Sequence, residues 1–226
     1  MRLLNLIRGD IRFQFKYGFY LLFFLFSFIY IVTVKVLPTS LWSKVGAILI
    51  FTDPTALGLV FMGAIVHFEI SEKTINSLCI SPISPMEYLL SKLLSIALLS
   101  TISGLLIGIF TQTINNYLSF TVGIFVGSLI FSALGLIIAF KTSSMNQFIL
   151  SIIPTMIFVI LPGVVYIIGL DSFWYLFHPG IAVSELIVNG SNSIYALISL
   201  LLWLYIIVLF AIKIVKNRFK NESGVF

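Results

Sequence analysis

Long apolar runs dominate this sequence and decide what it can fold into. The first run, Tyr17–Val34, contains no charged residue. A helix needs about 20 apolar residues to cross the hydrocarbon core of a membrane, and 60% of this chain is hydrophobic. Only 9% of the residues are charged, whereas a soluble domain carries roughly 25%. The sequence therefore excludes an ordinary soluble domain and predicts an all-α integral membrane protein.

Six runs are long enough to form transmembrane helices. The connections between them are short, and no internal repeat or low-complexity tail interrupts them, so we expect a single membrane domain over residues 1–226. The segment ahead of the first span, residues 1–16, has leucines and isoleucines at helical spacing among basic residues. That pattern predicts an amphipathic helix lying on the membrane surface. The expected spans are 17–37, 45–68, 88–111, 117–140, 148–168 and 194–212.

The basic residues are distributed unevenly between the two sides of this arrangement. Six spans put both termini on the same side, and all but two of the 13 basic residues fall there. The other side carries only Lys35 and Lys44. Because basic loops face the cytoplasm, both termini are expected to be cytoplasmic. The excess of lysine over arginine, with abundant isoleucine and phenylalanine, indicates an AT-rich bacterial genome and hence a multi-pass protein of the bacterial cytoplasmic membrane.

Few residues could support catalysis. Cys79 is the one cysteine, which excludes a disulfide framework and any multi-cysteine metal site. His67, Glu69 and Glu72 lack the His-Glu-x-x-His spacing of a zinc site, so no metal is expected. No Gly-x-x-x-x-Gly-Lys-[Ser/Thr] sequence is present, so the chain is not expected to hydrolyse ATP. We therefore expect no cofactor on this chain and no enzyme activity of its own.

Asp53 is the acid that lies clearly inside an apolar run, and Pro54 follows it. Aspartate before proline is typical of a helix start, with the aspartate as the cap. This interpretation predicts that a helix begins at Pro54 and that the second span is bent or broken there. Ionisable residues inside spans are also retained for handling a substrate or a proton. Both interpretations of Asp53 stay open from the sequence.

The most specific pattern lies in the polar connection after the second span. It begins Glu-Ile-Ser-Glu-Lys-Thr at Glu69–Thr74, continues through a short helical stretch to Ser-Pro-Ile-Ser at Ser81–Ser84, and ends Glu-Tyr…Lys at Glu87–Lys92. This segment resembles the cytoplasmic connection between the second and third spans in permease subunits of type-2 ABC exporters. The family's common Glu-Arg-Glu-x-Gly-Thr is changed here, because its arginine, second acid and glycine are replaced.

The resemblance implies a coupling helix that docks onto a separate ABC-type ATPase subunit, which would bind the ATP. It also implies a dimer with a second copy or with a homologous permease, embedded in membrane lipid, and no nucleic-acid partner. Docking would move the spans when the ATPases close. The residues implied in ATPase coupling are Glu69, Glu72, Thr74, Leu78, Pro82 and Glu87.

The resemblance further implies an outer re-entrant segment before the last span, within Gly169–Asn192. Ile181–Val188 in this segment is apolar but too short to cross a membrane, and it contains Glu185. Aromatic residues settle at membrane interfaces, so plain interfacial anchoring is an alternative explanation. The aromatic residues in question are Phe173, Trp174, Tyr175 and Phe177.

The function that the resemblance implies is export of an amphiphilic drug, peptide or lipid. The loop sequence is somewhat similar to that of fluoroquinolone and multidrug exporters. A non-transporting membrane scaffold or immunity protein is the alternative, and it would need no ATPase-docking helix. An intramembrane hydrolase would need paired acids, or a nucleophile and a base, at one depth. Candidates for lining a substrate pathway are Asp53, Phe61, Pro154 and Pro162.

Overall fold

The computed structural model describes residues 2–81, 83–169 and 177–223, without the side chains of residues 79, 80 and 221–223. Within these ranges all regular structure is helical. The α-helices are α1 (Arg2–Lys16), α2 (Phe19–Val36), α3 (Trp42–Ile50), α4 (Leu57–Ser71), α5 (Thr74–Ile80), α6 (Pro85–Phe110), α7 (Tyr117–Lys141), α8 (Met145–Ile168), α9 (Pro179–Val188) and α10 (Ser193–Ser223).

Six helical segments of the described chain are long and apolar enough to span a membrane. Five of them are single helices: α2, α6, α7, α8 and α10. The remaining segment is the continuous run Thr39–Ser71, which contains α3 and α4. The predicted all-α membrane class and the predicted number of apolar spans are thus confirmed.

The six apolar segments form an inner and an outer group. In Thr39–Ser71, α6 and α7, between 61% and 67% of the apolar stretch is buried inside the protein, whereas the corresponding fraction is 22% in α2, α8 and α10. The inner helices approach closely at glycines: a Cβ atom at Gly135 on α7 would overlap the backbone of Leu59 on α4. Small residues permit such contacts between membrane helices. The core of the protein therefore lies between α4, α6 and α7.

The second span differs from the sequence-based expectation. The stretch 38–44 was expected to be a loop, but a 3₁₀ turn occupies Thr39–Leu41 and α3 begins at Trp42. Phe51–Thr55 then forms a π-helical turn that leads into α4. A π turn is an insertion within a continuing helix, so the chain passes Pro54 without starting a new helix there.

The prediction that Asp53 caps a helix is wrong. Ala56 occupies the N-cap position of α4, and no side chain caps it. Pro54 lies inside the π turn, which tolerates a residue without a backbone N–H because its hydrogen-bond pattern is already shifted. Thr55 Oγ1 donates to the Ile50 carbonyl at 3.0 Å, which supplies a side-chain hydrogen bond across the turn. The carboxylate of Asp53 is therefore available for other contacts.

Both ends of the described chain meet at one end of the bundle, which we call the terminal end. Helix α1 is joined to α2 through Gly18, whose φ of 79° is in the left-handed region that favours glycine. The final helix continues well beyond the expected limit of residue 212, and its Phe219 ring packs 5.5 Å from that of Tyr88 on α6. Helix α10 also packs against α5. The terminal end thus consists of α1, α5 and the last turns of α10.

At the opposite end, α9 is a short apolar helix buried along almost its whole length. It packs against α7, α8 and α10. The Glu185 carboxylate accepts hydrogen bonds from Tyr166 Oη at 2.5 Å and from the Asn192 backbone at 2.6 Å. Trp203 Nε1 donates to the Phe177 carbonyl at 2.7 Å. The other three aromatic residues of this connection, Phe173, Trp174 and Tyr175, lie outside the described residues.

Candidate functional site

A buried charge cluster lies at the terminal end of the bundle. Lys92 Nζ on α6 donates to Asp10 Oδ1 on α1 at 2.5 Å, and it also pairs with Glu69 on α4. Tyr88 Oη donates to the second carboxylate oxygen of Glu69 at 2.7 Å. Lys92 and Glu69 are each 3% exposed, and Asp10 is 9% exposed. We call Asp10, Glu69 and Lys92 the charge triad, and it joins α1, α4 and α6.

The charge triad has one cation for two carboxylates. Asp10 Oδ2 has no hydrogen-bond partner among the described atoms, and neither has the buried Gln14 Oε1 one turn further along α1. The Gln14 amide donates to Ser95 Oγ at 2.7 Å, which adds a second link between α1 and α6. Buried polar groups that lose a partner are costly, so these contacts fix where α1 lies on α6.

The Glu69 side chain is buried and makes its contacts within the protein. Its carboxylate is occupied by Lys92 and Tyr88 and lies inside the protein, so any contribution to ATPase coupling would act through those two residues. Sequence reasoning missed Asp10 and Gln14, although both lie on one face of α1 and Asp10 is its one acid. An acid on α1 and a lysine two turns into an apolar helix both need charged partners, so the sequence offers a signal for this pairing.

Helix α5 carries the exposed part of the implied docking segment. Lys73, at φ 56°, is in the left-handed region and turns the chain from α4 into α5. Thr74 and Ser77 are exposed, while Ile75 is buried. Leu78 is partly buried and packs against the hydrophobic core. The helix therefore has an inner apolar side and an outer polar side.

The residues that flank α5 are held by hydrogen bonds. Glu72 is exposed and accepts a hydrogen bond from Tyr17 Oη, and this bond raises the pKa of the Tyr17 phenol. Glu87 forms a capping box with Ser84 at the start of α6, with Ser84 N to Glu87 Oε2 at 2.8 Å and Glu87 N to Ser84 Oγ at 3.2 Å. Pro82, also implied in coupling, lies outside the described residues.

The implied pathway residues are distributed over three elements. Asp53 lies in the π turn, and the Tyr30 phenol of α2 is close to its carboxylate. Phe61 lies about one turn along α4, with its ring 5.2 Å from the rings of Phe19 and of Phe23.

Pro154 and Pro162 both lie within α8, which continues through them. Pro154 is exposed and Pro162 partly exposed. Helix α8 contacts the π turn at Gly163, where a Cβ atom would overlap the Phe51 ring. The structure therefore brings α8 against the turn that carries Asp53.

A cavity of about 340 Å³ opens near the terminal end between α4 and the start of α8. It is lined mainly by apolar groups, with His67 at its edge, and His67 Nε2 lies 3.1 Å from Thr142 Oγ1. In the described part of the chain, no three His, Cys, Asp or Glu side chains are grouped to hold a metal ion.

Comparison of the chain with models of known protein families gives no match, and comparison with characterised proteins gives none either.

Proposed function

We propose that this chain is the permease subunit of a type-2 ABC exporter. In this proposal it lies in the bacterial cytoplasmic membrane with both termini in the cytoplasm. It pairs with a second copy or with a homologous permease, and it works with a separate ATPase subunit that binds and hydrolyses ATP. The substrate is an amphiphilic drug, peptide or lipid that leaves the cytoplasm.

The observation that carries the proposal is the form of α5. A short helix with a polar outer side lies between two long apolar helices at the terminal end, where Thr74 and Ser77 are exposed. Ile75 anchors its inner side. A solvated loop needs no such anchored helix, whereas a docking element needs a rigid polar surface with a connection to the spans.

The charge triad provides the connection from this surface to the rest of the bundle. Glu69 lies five residues before α5 on the helix that leads into it, and Lys92 lies on the helix that follows it. A displacement of α5 would therefore be passed to α4, α6 and, through Asp10, to α1. The N-terminal helix acts in this proposal as an interfacial element that moves with the coupling helix.

Helix α9 fits the outer re-entrant segment of the proposal. It is ten residues long, too short to cross, yet it is buried against three spans and anchored by Glu185. Apolar faces of α2, α8 and α10 are left for lipid or for the second permease subunit.

The proposal is tested by asking whether an ATPase binds at α5. The tagged chain is purified from its native membrane, and co-purified protein is identified by mass spectrometry and assayed for ATP hydrolysis. Ser77→Arg adds a bulky charge to the outer side of α5 and should remove the ATPase. Ser40→Arg is the matched control, because Ser40 is also exposed but lies in the 3₁₀ turn at the opposite end.

Retention of an ABC-type ATPase by wild type and by Ser40→Arg, with its loss from Ser77→Arg, supports the proposal. A wild-type preparation without any ATPase would favour the membrane scaffold or immunity protein instead. Equal retention by all three proteins would remove α5 from the docking surface.

A further inference from the structure

Asp53 brings a carboxylate close to the middle of a membrane span. The segment Thr39–Ser71 is one of the six apolar spans. At about 1.5 Å per residue, Asp53 is about 21 Å along the helix from Thr39 and about 27 Å from Ser71. An ionisable side chain at that depth is expensive and is retained where a partner or a function requires it. The identity of that partner is therefore informative.

The chain places a phenol near Asp53 but no cation. The Tyr30 side chain lies close to the Asp53 carboxylate. Both ion pairs in the described part of the chain belong to Lys92, at the terminal end. A carboxylate has two oxygens with about four acceptor positions, so one phenol leaves most of them unused.

Asp53 is also partly exposed at the surface of the bundle. Hydrocarbon offers no hydrogen-bond donor, so a carboxylate at that surface does not face lipid alone. A group that approaches Asp53 from outside the bundle can reach it without unfolding the protein. The geometry therefore allows a ligand to complete the coordination of this carboxylate.

Tyr30 belongs to a pair of partly exposed aromatic rings on α2. Tyr30 stacks with Phe26 at 6.1 Å between ring centroids, with 15° between the planes. Both rings and that of Phe61 are partly exposed, and Phe61 is backed from inside by Phe19 and Phe23. Aromatic faces attract cations and also bury apolar groups. We call Phe26 and Tyr30 the aromatic row.

A metal ion fits this arrangement poorly. Calcium and magnesium take six or more oxygen ligands, with several carboxylates or waters among them, and Asp53 belongs to no grouped set of acids or histidines in the described chain. An organic cation suits it better, because one charge meets one carboxylate and apolar substituents meet the rings.

We propose that Asp53, supported by Tyr30, binds the charged centre of an amphiphilic organic cation, and that the apolar part of this ligand lies on the aromatic row. The subsequent export of the ligand rests on the proposed function, but its binding does not. The two can therefore fail independently, because binding is measured on this chain without an ATPase.

The experiment is equilibrium dialysis of radiolabelled tetraphenylphosphonium against purified wild type, Asp53→Asn and Asp53→Glu. Replacing the carboxylate by an amide should weaken binding about tenfold or more, equivalent to about 1.4 kcal/mol. Asp53→Glu keeps the charge and should stay within about threefold of wild type. Neutral triphenylphosphine oxide, run in parallel, should bind weakly and equally to wild type and to Asp53→Asn.

Each variant is first checked for correct folding by size-exclusion chromatography and circular dichroism. A further variant, Tyr30→Phe, keeps the Asp53 charge and the aromatic ring but loses the phenol hydroxyl. A few-fold weaker binding of tetraphenylphosphonium to Tyr30→Phe would show that the Tyr30 hydroxyl contributes to the site. Binding of tetraphenylphosphonium to Asp53→Asn as tightly as to wild type would overturn the inference. So would a wild type that binds the cation no better than the neutral oxide.

Discussion

Gly135 on α7 lies directly against the backbone carbonyl of Leu59 on α4, so that a Cβ atom at Gly135 would overlap it. Because the obstructing atom belongs to the backbone, the two helices would have to move apart to accept a side chain. This contact sets the distance between two of the three inner helices.

The first prediction follows from this contact. Gly135→Ala should lower the stability of the purified protein by about 1–3 kcal/mol, the usual cost of overpacking, and should be measured as a lower melting temperature in detergent. Gly9→Ala is the control, because a Cβ at Gly9 meets nothing within 4 Å. That change lies inside α1 and should stabilise by up to about 1 kcal/mol. Equal melting temperatures for the two variants would contradict this account of α4–α7 packing.

The second prediction concerns the charge triad. Lys92→Met leaves the buried carboxylates of Asp10 and Glu69 without their cation, which should cost about 3–5 kcal/mol. Asp10→Asn leaves one ammonium facing one carboxylate and should cost less. The triple variant Lys92→Met/Asp10→Asn/Glu69→Gln removes every charge and should recover much of the loss. The readout is thermal unfolding, and a triple variant less stable than Lys92→Met alone would show that the charges are not the cause.

The third prediction concerns topology. In a Cys79→Ser background, a cysteine at Ser40 should react with a membrane-impermeant thiol reagent in intact cells. Cysteines at Asn5 and at Asn217 should react only after the membrane is opened, because the positive-inside rule puts both termini in the cytoplasm. All three positions are exposed on the protein. Labelling of Asn5→Cys from outside would exclude the predicted orientation.

The fourth prediction concerns Glu185, which is 1% exposed and accepts hydrogen bonds from Tyr166 and Asn192. Glu185→Ala removes the charged acceptor of both hydrogen bonds, and a hydrogen bond to a charged group contributes about 1.5–3 kcal/mol. Glu185→Gln keeps an acceptor oxygen and should lose less. Hydrogen exchange should rise in the turn between α9 and α10 in Glu185→Ala. Unchanged exchange there would mean that the carboxylate does not hold this turn.

The parts of the fold that depend on composition could be predicted from the sequence. Apolar runs of span length identified six apolar segments, and the Ser-Pro-Ile-Ser stretch marked the boundary ahead of α6. The segment 38–44 was misassigned because its proline, serine, threonine and lysine are typical of a loop. It also makes a contact that the local sequence does not show, since Lys44 Nζ donates to the Ile168 carbonyl of α8 at 2.7 Å.

The parts of the candidate site that depend on distant pairing could not be predicted in the same way. Glu69 was recognised as a candidate, but its partners Lys92 and Asp10 lie on other helices, and no local periodicity links them. The cap interpretation of Asp53, one of the two that the sequence left open, rested on local rules that favour aspartate before proline. Those rules take no account of a π turn, which keeps the helix continuous and leaves the carboxylate for Tyr30.

The pairing of Asp10 with Lys92 also sets an order for biosynthesis. The two residues are 82 positions apart, so α1 has no partner for its acid until the ribosome has made the start of α6. Two apolar segments, Phe19–Val36 and Thr39–Ser71, are made in that interval, before α1 can dock. The Asp10–Lys92 ion pair can therefore form only after both segments have been made, so α1, the first helix of the chain, takes its final position later than its place in the sequence suggests.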